Sequence, residues 1–253
     1  MRIMSFNLLC GGADKRDWPY RTPLAVRTIY NADPDTFGVQ EAHINWMRAL
    51  TACLPAYDYV GVGRDDGAEK GEFSAVFYKK DKFDLLDSGS FWLSETPEKP
   101  GKGWDAACIR ICSWAKLREK ESGKVFVHLN THLDHVGLVA MQKGAELIAK
   151  RGREISGEYP AFFTGDFNVT PDSAPCKAVL DGGFADCRTA AAVTDTGITW
   201  HNLQPITPEF TGAVIDYVFA RGDVKVDRFA VIRDKIDGEL PSDHYPVYAD
   251  VEF

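Results

Sequence analysis

IRICSWAKLREKESGKVFVHLNTHLDH, residues 109–135, contains two strand-like runs, Ile109–Arg118 and Val125–Thr131, joined by a polar turn with Gly123 at its centre. Apolar and polar residues alternating over this length, bounded by turn formers, mark half-buried strands. Three more such runs precede them in near succession: Tyr57–Val62, Glu72–Lys79 and Phe83–Leu93. After them comes a long helical pattern, Val136–Arg153, with Lys143, Lys150, Arg151 and Arg153 on its polar face. The chain then gives a short buried strand, Ala161–Gly165, and a helix opened by Thr170-Pro171, where the hydroxyl caps and the ring pre-sets φ. Strands at Gly212–Ala220, Val224–Arg233 and Tyr245–Phe253 complete the chain. Before the strand-rich middle stand a strand at Arg2–Leu8, a helix at Pro19–Ala32, a strand at Thr36–Glu41 and a helix at His43–Cys53. So many strands with so few helices exclude a simple doubly wound sheet. Two sheets packed face to face, with helices outside, fit the count.

The 253 residues fit one large α/β domain spanning 1–253. The formal net charge of −8 argues against gripping long nucleic acid through a broad basic face, though not against a local basic pocket or a bound cation. No window approaches eighteen continuous apolar residues, so no transmembrane helix is expected. MRIMSFNLLCGG opens directly on a strand pattern without an apolar leader. The six cysteines form no C-x-x-C pair, which points to reduced thiols and a cytoplasmic protein. The longest irregular stretches, Ser94–Ala107 and Asp186–Thr211, have the length of functional rims.

Polar residues interrupt the strand patterns at their ends. SFN ends at Asn7, GVQE at Glu41, HLNTH at His132, and GDFN carries Asp166 and Asn168. IDYVFA places Asp216 in an otherwise apolar strand, and SDHYPV supplies Asp243 and His244 at the entry to the last one. Carboxyl ends of strands are where side chains from separate strands converge on ligands. Oxygen donors of this kind suit Mg²⁺ or Mn²⁺. Phosphoester hydrolysis needs a cation on the phosphoryl oxygens, a group to orient or deprotonate water, and donors for the developing charge. A histidine paired with a carboxylate stays protonated near neutral pH, and Asp216 is the natural partner of His244.

SFN, QE, THLDH, GDFN, IDYVFA and SDHYPV, in that order from Asn7 to His244, resemble the endonuclease/exonuclease/phosphatase superfamily with its deoxyribonuclease I-like fold. The resemblance implies a four-layer α/β sandwich, two packed mixed sheets flanked by helices, with the site at one rim. It makes Glu41 the main metal ligand, assisted by Asn7 and Asp243. It makes Asp166 the residue that activates water or holds a second metal, has Asn168 and His132 contact the phosphate, and has Asp216 orient His244. FWLSETP and GWDAACIRICSWAKL resemble small bacterial members related to the deadenylase and nocturnin-like branch.

Arg110 in that segment is the candidate phosphate-binding guanidinium, and Trp104, in a Gly-flanked loop, the candidate for stacking a base at the rim. Trp92 reads as core, and His128 and His135 as satisfied strand histidines. GVGRDDG, residues 61–67, has the wrong spacing and no following helix for a dinucleotide loop. Ser242-Asp243-His244 is no hydrolase triad, because adjacent side chains in an extended run point apart. The expectation is a Mg²⁺- or Mn²⁺-dependent phosphoester hydrolase, favoured as a monomer, acting on a small or single-stranded substrate rather than long duplex. The alternatives are an inert binding module in the same cleft and a sphingomyelinase-like lipid head-group phosphodiesterase.

Overall fold

The computed structural model describes residues 1–12 and 14–253. The first sheet has seven strands in the order β10 (Val193–Thr194), β12 (Lys225–Val231), β13 (Val247–Glu252), β1 (Arg2–Asn7), β2 (Thr36–Ala42), β4 (Phe73–Lys79) and β3 (Tyr57–Val60). The second has six: β5 (Phe83–Trp92), β6 (Ile111–Glu119), β7 (Val125–His132), β8 (Ala161–Asp166), β11 (Asp216–Arg221) and β9 (Ala185–Asp186). Helices α1 (Trp18–Ala32) and α2 (Ile44–Cys53) cover the first sheet, and α3 (Leu138–Ser156) and α4 (Ala174–Asp181) the second. The expected layering of helix, sheet, sheet and helix is what the chain forms.

Strand alternation decides which side chains meet. In β1, Met4 and Phe6 pack outward with Ala25, Ile29 and Trp46 of the helices, while Ile3 joins the cluster between the sheets. In β8, Phe163 packs with Ala145 and Ile148 of α3, while Phe162 faces inward with Phe126 of β7 and Val218 of β11. Fully burying one such side chain is worth roughly 1.5–3 kcal/mol.

Pairing fixes the rim. β1 and β2 run parallel, with Asn7 opposite Gln40, and β7 and β8 run parallel, with His132 opposite Asp166. β11 runs antiparallel to β8, so its first residue, Asp216, also lies opposite Asp166. Four strand ends and one strand start therefore share one edge of the sandwich.

Element boundaries depart from the sequence reading in two places that matter. The helix expected at Thr170-Pro171 opens at Ala174, with Ser173 as its N-cap residue and Pro175 in its first turn. Thr170 instead closes a turn, its carbonyl accepting from Ser173 N–H at 3.1 Å. The strand expected from Gly212 starts at Asp216, and Ala213 pairs instead with Trp200 of the long loop.

Candidate active site

Glu41, His132, Asp166, Asn168, Asp243 and His244 line one cleft of about 720 Å³. Asn7 lies beneath it and ties its carboxylates together. The Asn7 amide nitrogen donates to Glu41 Oε1 at 3.0 Å and to Asp166 Oδ2 at 2.8 Å. Its oxygen, the atom a metal would use, accepts from Leu9 N–H at 2.9 Å, so Asn7 acts here as a bridge between acids. Glu41 Oε2 accepts from Cys10 N–H at 2.8 Å. Although burial opposes it, these donors hold the Glu41 carboxyl below its ordinary range. Glu41 sits at φ 58°, where the β2–β4 register shifts, and Asn168 at φ 55°. Left-handed backbone at a non-glycine residue is costly and is typical of functional sites.

Asp166 is the centre of the arrangement. Its Oδ1 accepts from Asn168 N–H at 2.9 Å, and its Oδ2 lies 3.5 Å from His132 Nε2 and 3.7 Å from His244 Nε2. Burial and the nearby Asp216 push this carboxyl up to about 7, with His244 pulling the other way. His244 Nδ1 sits 2.9 Å from Asp216 Oδ2. Burial alone would lower this imidazole, but Asp216, Asp166 and Asp243 outweigh it and raise the group to about 10.

His132 has the opposite state. Burial, with Arg110 and Arg64 nearby, holds it well below an ordinary histidine, so it is neutral. The Asn168 amide donates to His132 Nε2 at 2.9 Å and to the Leu133 carbonyl at 3.1 Å. The carbonyl fixes which Asn168 atom is nitrogen, so His132 Nε2 is the acceptor and the ring hydrogen is on Nδ1. That Nδ1 lies 3.9 Å from Glu72 Oε2 and has no hydrogen-bond partner among the described residues. Asn168, expected on the phosphate, gives one amide hydrogen to His132 and the other to the Leu133 carbonyl.

The donor set suits a hard divalent cation. Ligand atoms of Glu41, His132 and Asp166 lie within 4.8 Å of one another, and those of Asp166, Asp216 and His244 do so too. The second group offers little: its imidazole is protonated and Asp216 Oδ2 is bonded to it. The first offers two carboxylates, with Asp243 on the same cleft, which matches the oxygen preference of Mg²⁺ or Mn²⁺. Asp243 Oδ2 lies 3.4 Å from Arg16 Nη2.

Arg110 lines the cleft but is buried just before β6 rather than projecting from a strand. Its Nε is 3.6 Å from Asp134 Oδ1 and its Nη2 is 3.1 Å from His135 Nδ1. His135, read as a satisfied strand histidine, is exposed beyond β7 and lines the cleft. Trp104 is not among the cleft residues; its backbone N–H is held by Glu95, and the aromatic at the cleft is Trp200. Trp92 is core, as expected, and its Nε1–H donates to the Arg64 carbonyl at 2.6 Å.

Three participants escaped the sequence reading. Glu72 and Arg64 pair with each other and line the cleft. Arg64 lies in the GVGRDDG loop, whose only signal was a misleading glycine spacing. Arg21 of α1 is fully buried and donates to the carbonyls of Leu8, Leu9 and Arg16, which fixes the loop after β1. A charged residue inside an otherwise apolar helix face was the available clue.

Known proteins share this fold. Residues 4–244 match the model of the Endonuclease/Exonuclease/phosphatase family. An endonuclease/exonuclease/phosphatase from Bacteroides vulgatus is 39% identical, with a TM-score of 0.94 over 99% of this chain and 98% of that one. The mannosyl-6-phosphatase Bt3783 of Bacteroides thetaiotaomicron is 35% identical, with a TM-score of 0.91 over the whole of both chains. The human nocturnin catalytic domain, 19% identical with a TM-score of 0.78 over 100% of this chain and 93% of that one, shares the fold. The chain spans only 38% and 36% of the length of two curated relatives, an uncharacterized mimivirus protein (20% identical over 92% of this chain) and mouse 2′,5′-phosphodiesterase 12 (25% over 74%). The strand-end carboxylates and histidines thus sit on a scaffold shared along nearly its full length, and the chain belongs to the endonuclease/exonuclease/phosphatase family.

Proposed function

We propose that this chain hydrolyses a small phosphoester with the aid of a divalent cation, Mg²⁺ or Mn²⁺. The observation that carries this reading is the placing of Asp166 Oδ2 3.5 Å from His132 Nε2 and 3.7 Å from His244 Nε2, with His244 Nδ1 against Asp216. His244, protonated and braced by Asp216, donates to a phosphoryl oxygen as negative charge develops there. Asp166, between the two imidazoles, orients the attacking water and accepts its proton. His132, held by Asn168, presents its Nδ1–H side toward Glu72 and the arginine end of the cleft. Glu41 and Asp243 would hold the cation, which would supply Lewis-acid neutralisation of the phosphoryl charge when bound.

A cleft of about 720 Å³ is in the range that encloses small ligands, and the acidic chain offers no broad counter-charge for duplex nucleic acid. Val169, Trp200 and Ile215 give it an apolar wall, suited to the face of a sugar or a base. Similarity to a mannosyl-6-phosphatase over the whole chain favours a sugar phosphomonoester as the first substrate to try.

The test is a panel of sugar phosphates, nucleotides, dinucleotides, RNA, DNA and phospholipids with Mg²⁺ or Mn²⁺. The expected result is turnover of a small ester that a chelator abolishes and added cation restores. Full turnover in excess chelator would remove the cation from the account, and no turnover of any ester would favour an inert binding module.

A further inference from the structure

Beside the proposed hydrolytic centre lies a second set of ligand-type side chains, one of which, Glu72, borders the cleft. Cys10 belongs to the loop after β1, His43 precedes α2, and Glu72 precedes β4. One ligand atom from each lies within 4.8 Å of the other two. His43 stands at the N-terminus of α2 but makes no side-chain capping bond, so its imidazole is free to turn. The Cys10 backbone N–H donates to Glu41 Oε2 at 2.8 Å, which places the group directly beside the expected cation ligand.

A thiol, an imidazole and a carboxylate are a poor set for Mg²⁺ and a good one for zinc-like ions, which take mixed S, N and O donors in tetrahedral sites. Bond lengths of roughly 2.0–2.3 Å imply ligand separations of roughly 3.5 Å. The three ligand atoms already lie within 4.8 Å of one another, and the exposed His43 can rotate toward the other two. A comparable group, Cys108, Asp134 and His135, fails the same chemical examination. The Asp134 carboxylate already accepts from four backbone N–H groups, of Ala107, Cys108, Val136 and Gly137, and Arg110 stands 3.6 Å away.

We propose that Cys10, His43 and Glu72 form an inhibitory site for a thiophilic divalent cation such as Zn²⁺. Binding takes the cysteine as thiolate and releases its proton to solvent. Two consequences oppose hydrolysis. Glu72 is the counter-charge of Arg64 and lies 3.9 Å from both Arg110 Nη1 and His132 Nδ1, so a metal that draws it away loosens that end of the cleft. A cation against Glu41 also disfavours the hard cation there, and the coupling is reciprocal.

Cadmium is a suitable probe, because thiolate–cadmium bonding gives an ultraviolet charge-transfer band. The full chain, with Mg²⁺ in excess and the exposed Cys53 replaced by serine, is titrated with Cd²⁺. One equivalent should raise the band, Cys10→Ser should abolish it, and His43→Ala should weaken binding at least about tenfold. Melting in the absence of metal shows whether each variant is folded. For the best substrate of the panel, His43→Ala should leave basal turnover unchanged and raise the Zn²⁺ needed for half-inhibition by a similar factor. The cadmium readout stands even if no phosphoester is turned over. A band of unchanged strength in Cys10→Ser, or its loss only in Cys108→Ser, would overturn the assignment.

Discussion

His128 and His132 stand four residues apart on β7, both facing the opposite sheet, and they do different work. The inner faces of the two sheets change character along the strands. At one end Ile3, Phe126 and Phe162 are apolar, and midway Ser5, Gln40, His128, Asn130 and Thr164 form a hydrogen-bonded layer. At the rim come Asn7, Glu41, His132 and Asp166. His128 belongs to the middle layer. Its Nδ1 lies 2.8 Å from Thr36 Oγ1, whose own hydrogen goes to the Phe77 carbonyl, so the ring donates from Nδ1. Its Nε2 lies 2.9 Å from the Thr164 hydroxyl oxygen. Burial keeps it neutral, its ionisation pushed down to about 3. His132 is neutral as well, but its Nδ1–H lacks a hydrogen-bond partner and its ring borders the cleft. Burial and residue type are alike; what separates a strut from a working group is the hydrogen-bonding capacity left over.

The largest expected effects fall at the rim. His244→Ala should lower kcat by about two to four powers of ten with little change in melting temperature. Asp216→Asn should slow turnover on the same scale and move the alkaline limb of the pH–rate profile. The sign follows from the pairing: His244 must be protonated, Asp216 helps raise it to about 10, and removing that charge moves the limb to lower pH.

Next comes the histidine pair itself. His132→Ala should cost about two powers of ten in kcat and little stability. His128→Ala should cost about 2–4 kcal/mol of stability, through a cavity and two stranded threonine hydroxyls, with activity per folded molecule nearly intact. Chemical denaturation beside single-turnover kinetics separates the two patterns, and the same pattern for both would erase the distinction between layer and rim.

A smaller effect is expected at Gly38, where an added Cβ would sit 2.2 Å from Asn130 Oδ1 and 2.4 Å from Thr164 Oγ1. Gly38→Ala should destabilise by about 1–3 kcal/mol by forcing the layer apart. The smallest concerns acid stability. Despite its burial, four backbone N–H groups hold the Asp134 carboxyl down at about 2. Its contribution is complete above the ordinary carboxylate range and is lost as pH falls through that range toward 2. Urea midpoints between pH 5 and 2.5 should fall less steeply in Asp134→Asn than in the parent chain.

Much of the rim was legible in the chain because a polar residue at the end or entry of an apolar strand is a local signal, and Asn7, Glu41, His132, Asp166, Asp216, Asp243 and His244 all carry it. The sheet count was legible for the same reason, since alternation is read within each strand. Glu72, Arg64 and Trp200 reach the cleft through loops, and no periodicity says which loop folds over which edge. Trp104 shows a related difficulty: an aromatic in a glycine-flanked loop invites a rim assignment, but the aromatic that lines the cleft is Trp200. Gly38 gave no sign, because its need for a missing Cβ comes from Asn130 and Thr164 on another sheet.

That Asp216 and His244 act as one unit on the reacting ester is the claim on which the rim's function rests, and a double-mutant cycle tests it directly. kcat/KM is measured for the parent chain, Asp216→Asn, His244→Ala and the double variant on the best substrate of the panel. Groups that work through one another are strongly non-additive, so the double variant should be no more than a few-fold slower than the worse single one. Losses that multiply across the cycle would show that the two residues act independently and contradict the account.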